Sequence, residues 1–143
     1  MITKLSPEVY LNPVTGQEAI YYSPKVAIVI WCNHLSTGPI RCLIDTGATF
    51  NVFPAEVALA YLGFSKKSLV KKCRKINFGG IGGIIREAYG HLCTIHTPDF
   101  RFNNVYIYFM DNQPYPLLGR VGFMDHFDKI VIDETRKNLE LFV

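Results

Sequence analysis

The stretch Cys42-Leu43-Ile44-Asp45-Thr46-Gly47-Ala48-Thr49 decides how this chain reads. Ile40 to Ile44 is an apolar run with strand character, and it leads directly into an acidic residue followed by Thr and Gly. Alone, such a triad is an ordinary turn: Asp and Thr cap backbone groups and Gly supplies a positive φ. The neighbours on both sides make it more specific. Upstream, Val26 to Trp31 reads as a strand and Ser36 to Pro39 as a turn cluster. A hairpin turn there would set Cys32 roughly opposite Cys42. Downstream, Pro54 to Gly63 reads as a helix, with Pro in its first turn, Ala and Leu inside and Gly as its stop. Gly79-Gly80-Ile81-Gly82-Gly83 has apolar flanks, unlike a polar linker, and reads as a hairpin whose backbone approaches something closely. Leu117-Leu118-Gly119-Arg120 then precedes a short helical stretch, Gly122 to Phe127. Strands at Tyr89 to Ile95, Phe102 to Met110, Ile130 to Ile132 and Leu139 to Val143 complete a mostly β pattern.

Composition excludes several classes. The 143 residues suffice for one hydrophobic core, and 49% hydrophobic against 19% charged residues is a globular balance. A net charge of +3 is too small to argue for nucleic acid. Lys66, Lys67, Lys71, Lys72, Arg74 and Lys75 lack interleaved aromatics, so they read as a solvated loop and strand edge, and no nucleic-acid partner is expected. The longest apolar run, Val26 to Cys32, is far below the ~20 residues that span a bilayer. Glu8, Asn12, Gln17 and Glu18 interrupt any signal-peptide core, so a cytoplasmic protein is expected.

Metal chemistry has little support. Cys32, Cys42, Cys73 and Cys93 form no C-x-x-C pair and read as thiols. His91 and Cys93 fall on one strand face and His96 on the other, so no metal site is expected. Gly79 to Gly83 lacks the following Lys-Ser/Thr of a phosphate loop.

The ordered set Leu43-Ile44-Asp45-Thr46-Gly47-Ala48, Gly79 to Gly83 and Leu117 to Arg120 resembles the retropepsin-like, or retroviral-type, aspartic proteases. The resemblance spans residues 26–143. The helix after the triad and the long C-terminal hairpin bring it closer to cellular and bacterial members than to compact viral ones. It implies an all-β acid-protease half-barrel with one or two short helices, assembled as a two-fold homodimer. Residues 26–143 would form the protease domain and residues 1–25 an N-terminal arm or dimer strand.

The resemblance also implies roles. Asp45 would be the catalytic carboxylate. Thr46 would bond to the partner chain's loop, Gly47 would let the substrate backbone come close, and Ala48 would keep the wall of the site small. Gly80, Ile81 and Gly82 would form the tip of a substrate-binding flap. Arg120 would tie its segment to the active-site loop. Viral members carry an Asp four residues after the catalytic one to receive that Arg. Here Thr49 stands there, which leaves Asn51 or a backbone carbonyl as the acceptor. The chain holds a single Asp-Thr-Gly; Asp99, Asp111, Asp125, Asp128 and Asp133 lack the following Thr/Ser-Gly. A second Asp45 must therefore come from another copy. The expected partners are a second copy and a polypeptide substrate, without a cofactor. The alternative is a non-catalytic dimerisation or peptide-binding module of the same fold.

Overall fold

The computed structural model describes residues 1–79 and 82–143. In chain order the described elements are β1 (Ile2–Lys4), β2 (Ser6–Leu11), β3 (Glu18–Ser23), β4 (Lys25–Cys32), β5 (Leu35–Ser36), β6 (Ile40–Ile44) and β7 (Asn51–Pro54). Two short helices follow, α1 (Ala55–Tyr61) and α2 (Lys66–Val70), then β8 (Arg74–Gly79), β9 (Ile85–His96), β10 (Arg101–Met110) and β11 (Leu117–Leu118). A 3-10 turn at Met124–His126 leads to β12 (Lys129–Asp133) and β13 (Asn138–Phe142).

Alternation builds the core. Along β4, Val26, Ile28, Ile30 and Cys32 point inward while Ala27 and Trp31 face solvent. An eight-stranded sheet runs β5-β4-β6-β11-β7-β10-β9-β8, and a further β4–β9 pairing brings it back on itself. The closed volume is filled by aliphatic side chains with Phe53, Phe109 and Phe123, all fully buried. The chain ends form a separate three-stranded sheet, β1-β13-β12, in which β1 pairs with β13 of its own chain. Leu139 and Leu141 anchor that sheet to the core. The β2–β3 hairpin stands apart as a two-stranded arm with Val9, Leu11 and Ile20 exposed.

Two local readings are corrected. The tight turn after β4 is Asn33-His34, not Ser36 to Pro39. Both residues have positive φ, 52° and 63°, as a two-residue hairpin turn requires. Cys32 therefore stands opposite Leu35, and Cys42 opposite Val26, well away from Cys32. The lysine-rich segment contains a helix, α2, started by a reciprocal Ser65–Ser68 capping box. Its single buried residue, Leu69, supplies the packing. The helix expected over Pro54 to Gly63 is present as α1, which starts immediately after Pro54 and ends at Tyr61.

Candidate active site

β6 and β11 run parallel, with Leu43 beside Leu117 and Ile44 beside Leu118. The pairing continues one residue beyond β6, where the Asp45 amide donates to the Leu118 carbonyl at 3.0 Å. The chain then turns sharply. The Gly47 amide donates to Asp45 Oδ1 at 2.8 Å, and the Ala48 amide to the Asp45 carbonyl at 3.1 Å. A Cβ on Gly47 would sit 3.2 Å from Asp45 Oδ1, tighter than side chains normally tolerate. Asp45 is thus held at the end of a buried strand, half-exposed, with its second oxygen unengaged by this turn. Thr46 is exposed at the turn's apex.

A second layer of bonds fixes the loop from below. The Arg120 amide donates to the Ala48 carbonyl at 3.0 Å, and the Val121 amide to the Thr49 carbonyl at 2.7 Å. Asn51 is fully buried; its Oδ1 accepts the Gly119 amide at 2.9 Å and its Nδ2 donates to the Tyr106 carbonyl at 3.3 Å. Gly119 lies so close to Phe50 that a Cβ there would meet the Phe50 carbonyl oxygen at 2.4 Å. The segment is tied to the loop by main-chain amides, while the exposed Arg120 guanidinium takes no part in these bonds. Asn51 does serve as an acceptor, but for the Gly119 amide.

The other wall of the cleft is the β8–β9 hairpin, paired from Arg74 with Gly90 to Gly79 with Ile85. Gly82 and Gly83 take φ of 86° and 75°, as expected for a glycine-built turn. Of the expected flap tip, Gly80, Ile81 and Gly82, the first two lie outside the described residues. The hairpin's stem rests on aromatics: Phe78 packs edge-on against Phe50 at 6.3 Å and against Tyr108 at 6.2 Å. Burial raises the Tyr108 hydroxyl's pKa, so this platform stays neutral.

Between stem and triad lies a cleft of about 390 Å³, bounded by Asp45, Gly47, Thr49, Phe78, Gly79 and Arg86 among others. Asp45 is its sole carboxylate among the described lining residues. Sequence reasoning did not single out Arg86. It stands opposite Phe78 in the hairpin register, so strand pairing was the signal that would have found it. Its guanidinium donates to the Asp111 carbonyl. Away from the cleft, the His91 ring nitrogen Nε2 lies 2.7 Å from the Leu69 carbonyl, a structural bond. No group of three His, Cys, Asp or Glu that could hold a metal occurs among the described residues. No helix there is long and apolar enough to cross a membrane.

A strand-end Asp-Thr-Gly turn, supported by a Leu-Leu-Gly segment and walled by a hairpin, is now in place. The aspartyl protease family profile matches residues 33–121, which span all three. This chain belongs to the retropepsin-like aspartyl proteases. Two solved retropepsin-type structures share its fold. A retropepsin-like aspartic protease from Rickettsia conorii superposes with a TM-score of 0.58 at 18% identity, over 95% of this chain and 98% of that one. EIAV protease complexed with an inhibitor superposes with a TM-score of 0.51 at 26% identity, over 76% of this chain and 92% of that one. No curated protein matches the chain by sequence. The mostly β architecture with two short helices is that of the retropepsin-like enzymes, as the motifs implied.

Proposed function

We propose that this retropepsin-like chain is an aspartic endopeptidase that works as a homodimer, with one Asp45 from each copy. The observation that carries the reading is the half-exposed Asp45 at the strand end, the sole carboxylate among the described residues lining its cleft. One carboxylate is half of the required chemistry. Two carboxylates about 3 Å apart cannot both ionise, so the pair holds one proton. The ionised member takes a proton from a water that attacks the scissile carbonyl, and the protonated member donates a hydrogen bond to the carbonyl oxygen. Their apparent pKa values belong to the pair.

The rest of the loop serves that step. The Gly47 amide holds one Asp45 oxygen, which leaves the other for water or substrate. Thr46, exposed at the apex, is placed to meet the partner's loop and keep the two carboxylates level. Gly47 and Ala48 leave room for an extended peptide backbone. The β8–β9 hairpin covers the peptide and keeps bulk water out.

The test is cleavage of a mixed peptide library across pH by the wild type and by Asp45→Asn, with oligomeric state measured at the same concentrations. Cutting by a wild-type dimer that falls at least 1,000-fold in Asp45→Asn (about 4 kcal/mol of barrier) is expected. A stable dimer that cuts no peptide at any pH would sink the reading and leave a peptide-binding module.

A further inference from the structure

β4 and β9 lie antiparallel, with Val29 opposite His96, Ile30 opposite Ile95 and Trp31 opposite Thr94. The next step of the same register sets Cys32 opposite Cys93. Both side chains are on the inward face of their strands, and both residues are buried. Cys32 Sγ lies 3.5 Å from the Leu92 carbonyl, one residue from Cys93. Directly opposed residues of an antiparallel pair have Cα atoms about 4.5–5.5 Å apart, within the range that a disulfide spans. The other two cysteines are placed differently: Cys42 is opposite Val26, and the Cys73 thiol is directed at the Val70 carbonyl.

The pair is also reachable. Cys32 and Cys93 together line a surface cavity of about 310 Å³, with Trp31, His34, Arg101 and Asn104 around it. Arg101 gives the rim a positive charge suited to an anionic reagent.

We propose that Cys32 and Cys93 are a reversible modification site, where a small anionic disulfide such as oxidised glutathione converts the two thiols to a cross-strand disulfide. The two sulfurs are suited to different roles. A hydrogen bond from the Cys93 thiol holds the Cys32 pKa below the ordinary thiol range, so Cys32 is the attacking thiolate. Donating that bond, together with burial, raises the pKa of Cys93 and keeps it protonated until the second step. In the first step Cys32 gives its proton to solvent and attacks one glutathione sulfur. The glutathione S–S bond breaks, a Cys32–glutathione disulfide forms, and one glutathione leaves as thiolate. In the second step Cys93 loses its proton and attacks the Cys32 sulfur, expelling the second glutathione. The balance is two protein thiols oxidised and one glutathione disulfide reduced to two thiols. The product clips β4 to the strand that carries the flap-side hairpin, and it closes a loop containing Asp45, both helices and β8.

This inference does not depend on the protease reading, and neither does its test. The full-length protein is equilibrated in glutathione buffers from fully reduced to fully oxidised, alkylated, and digested with trypsin without reductant. Cleavage after Lys and Arg places Cys32 in the fragment 26–41, Cys93 in 87–101, Cys42 in 42–66 and Cys73 in 73–74, so each pairing has its own mass. The expected result is a linked 26–41/87–101 product, with thermal unfolding raised by roughly 5–10 °C in the oxidised sample. Cys93→Ser is expected to stop at one glutathione on Cys32. Full alkylation of Cys32 and Cys93 after oxidation, or links only through Cys42 or Cys73, would overturn the proposal. The wild-type map decides this even if the variant folds poorly.

Discussion

The floor and the wall of the cleft are built from different forces. The floor, residues 45–51 with 117–121, is held by directional polar bonds: five main-chain amides and both ends of the Asn51 amide fix the loop. The wall, β8 with the first half of β9, touches the floor through aromatic edges at Phe50, Phe78 and Tyr108. Directional bonds allow few low-energy arrangements, because a bond holds only near its preferred distance and angle. Aromatic contacts are less demanding in angle and survive small sliding motions. The first kind of support suits a carboxylate that, in the proposed dimer, meets its twin at a set distance. The second suits a hairpin that, in the proposed enzyme, lifts to admit a peptide.

The sharpest way to break this contrast is to disturb the floor where nothing can give. In Gly119→Ala the added Cβ meets the Phe50 oxygen at 2.4 Å, its carbonyl carbon at 2.5 Å and its nitrogen at 2.8 Å. These are backbone atoms with no rotamer to change, so a loss of about 3 kcal/mol or more is expected in urea unfolding. Asn51→Ala comes next. It removes the bonds to the Gly119 amide and the Tyr106 carbonyl and opens a small cavity, for about 2–4 kcal/mol. Phe78→Ala tests the wall. It removes two edge contacts on a half-buried ring, for about 1–2 kcal/mol, with faster amide exchange confined to β8 and β9. If Phe78→Ala loosened the 45–51 loop as much as Asn51→Ala did, floor and wall would be one cooperative unit and the contrast would fail.

The same division explains what could be read from the residues alone. The Asp45 turn and the Leu117 to Gly119 support are local chemistry, so motif and order were enough to place them. Pro54 to Gly63 carried its own start and stop signals and formed a helix there. The turn after β4 was misplaced because Asn33-His34 lacks the Gly that usually marks paired positive φ, whereas Ser36 to Pro39 has the usual turn composition. Helix α2 was hidden because its capping box uses Ser68 where Glu or Gln is the familiar signal, and lysines crowd it. Asn51 was seen only as a possible acceptor. Which donor it meets depends on β7 lying between β11 and β10, a fact of topology that no local pattern encodes. The Cys32–Cys93 opposition is of the same kind, since it joins residues far apart in sequence through the β4–β9 pairing that closes the sheet.

The smallest expected effect lies outside both regions and sharpens the comparison by contrast. Glu8, at the root of the β2–β3 arm, accepts a hydrogen bond from Lys25 and another from Ser23 at 3.2 Å. The Lys25 bond is the main cause holding its carboxyl pKa below the ordinary glutamate range, with Ser23 and the charge of Arg41 adding to it. A folded pKa below the unfolded one means that this pair stabilises the fold above about pH 4.3 and that the contribution is lost as pH falls through the lower folded value. Water screens the pair, so the effect is small. Glu8→Gln should lower stability slightly near pH 7, where the pair is intact, leave the acid extreme almost unmoved, and so flatten the limb between them. If Glu8→Gln lowered stability as much in acid as near pH 7, the loss would come from the packing of the arm and not from this pair.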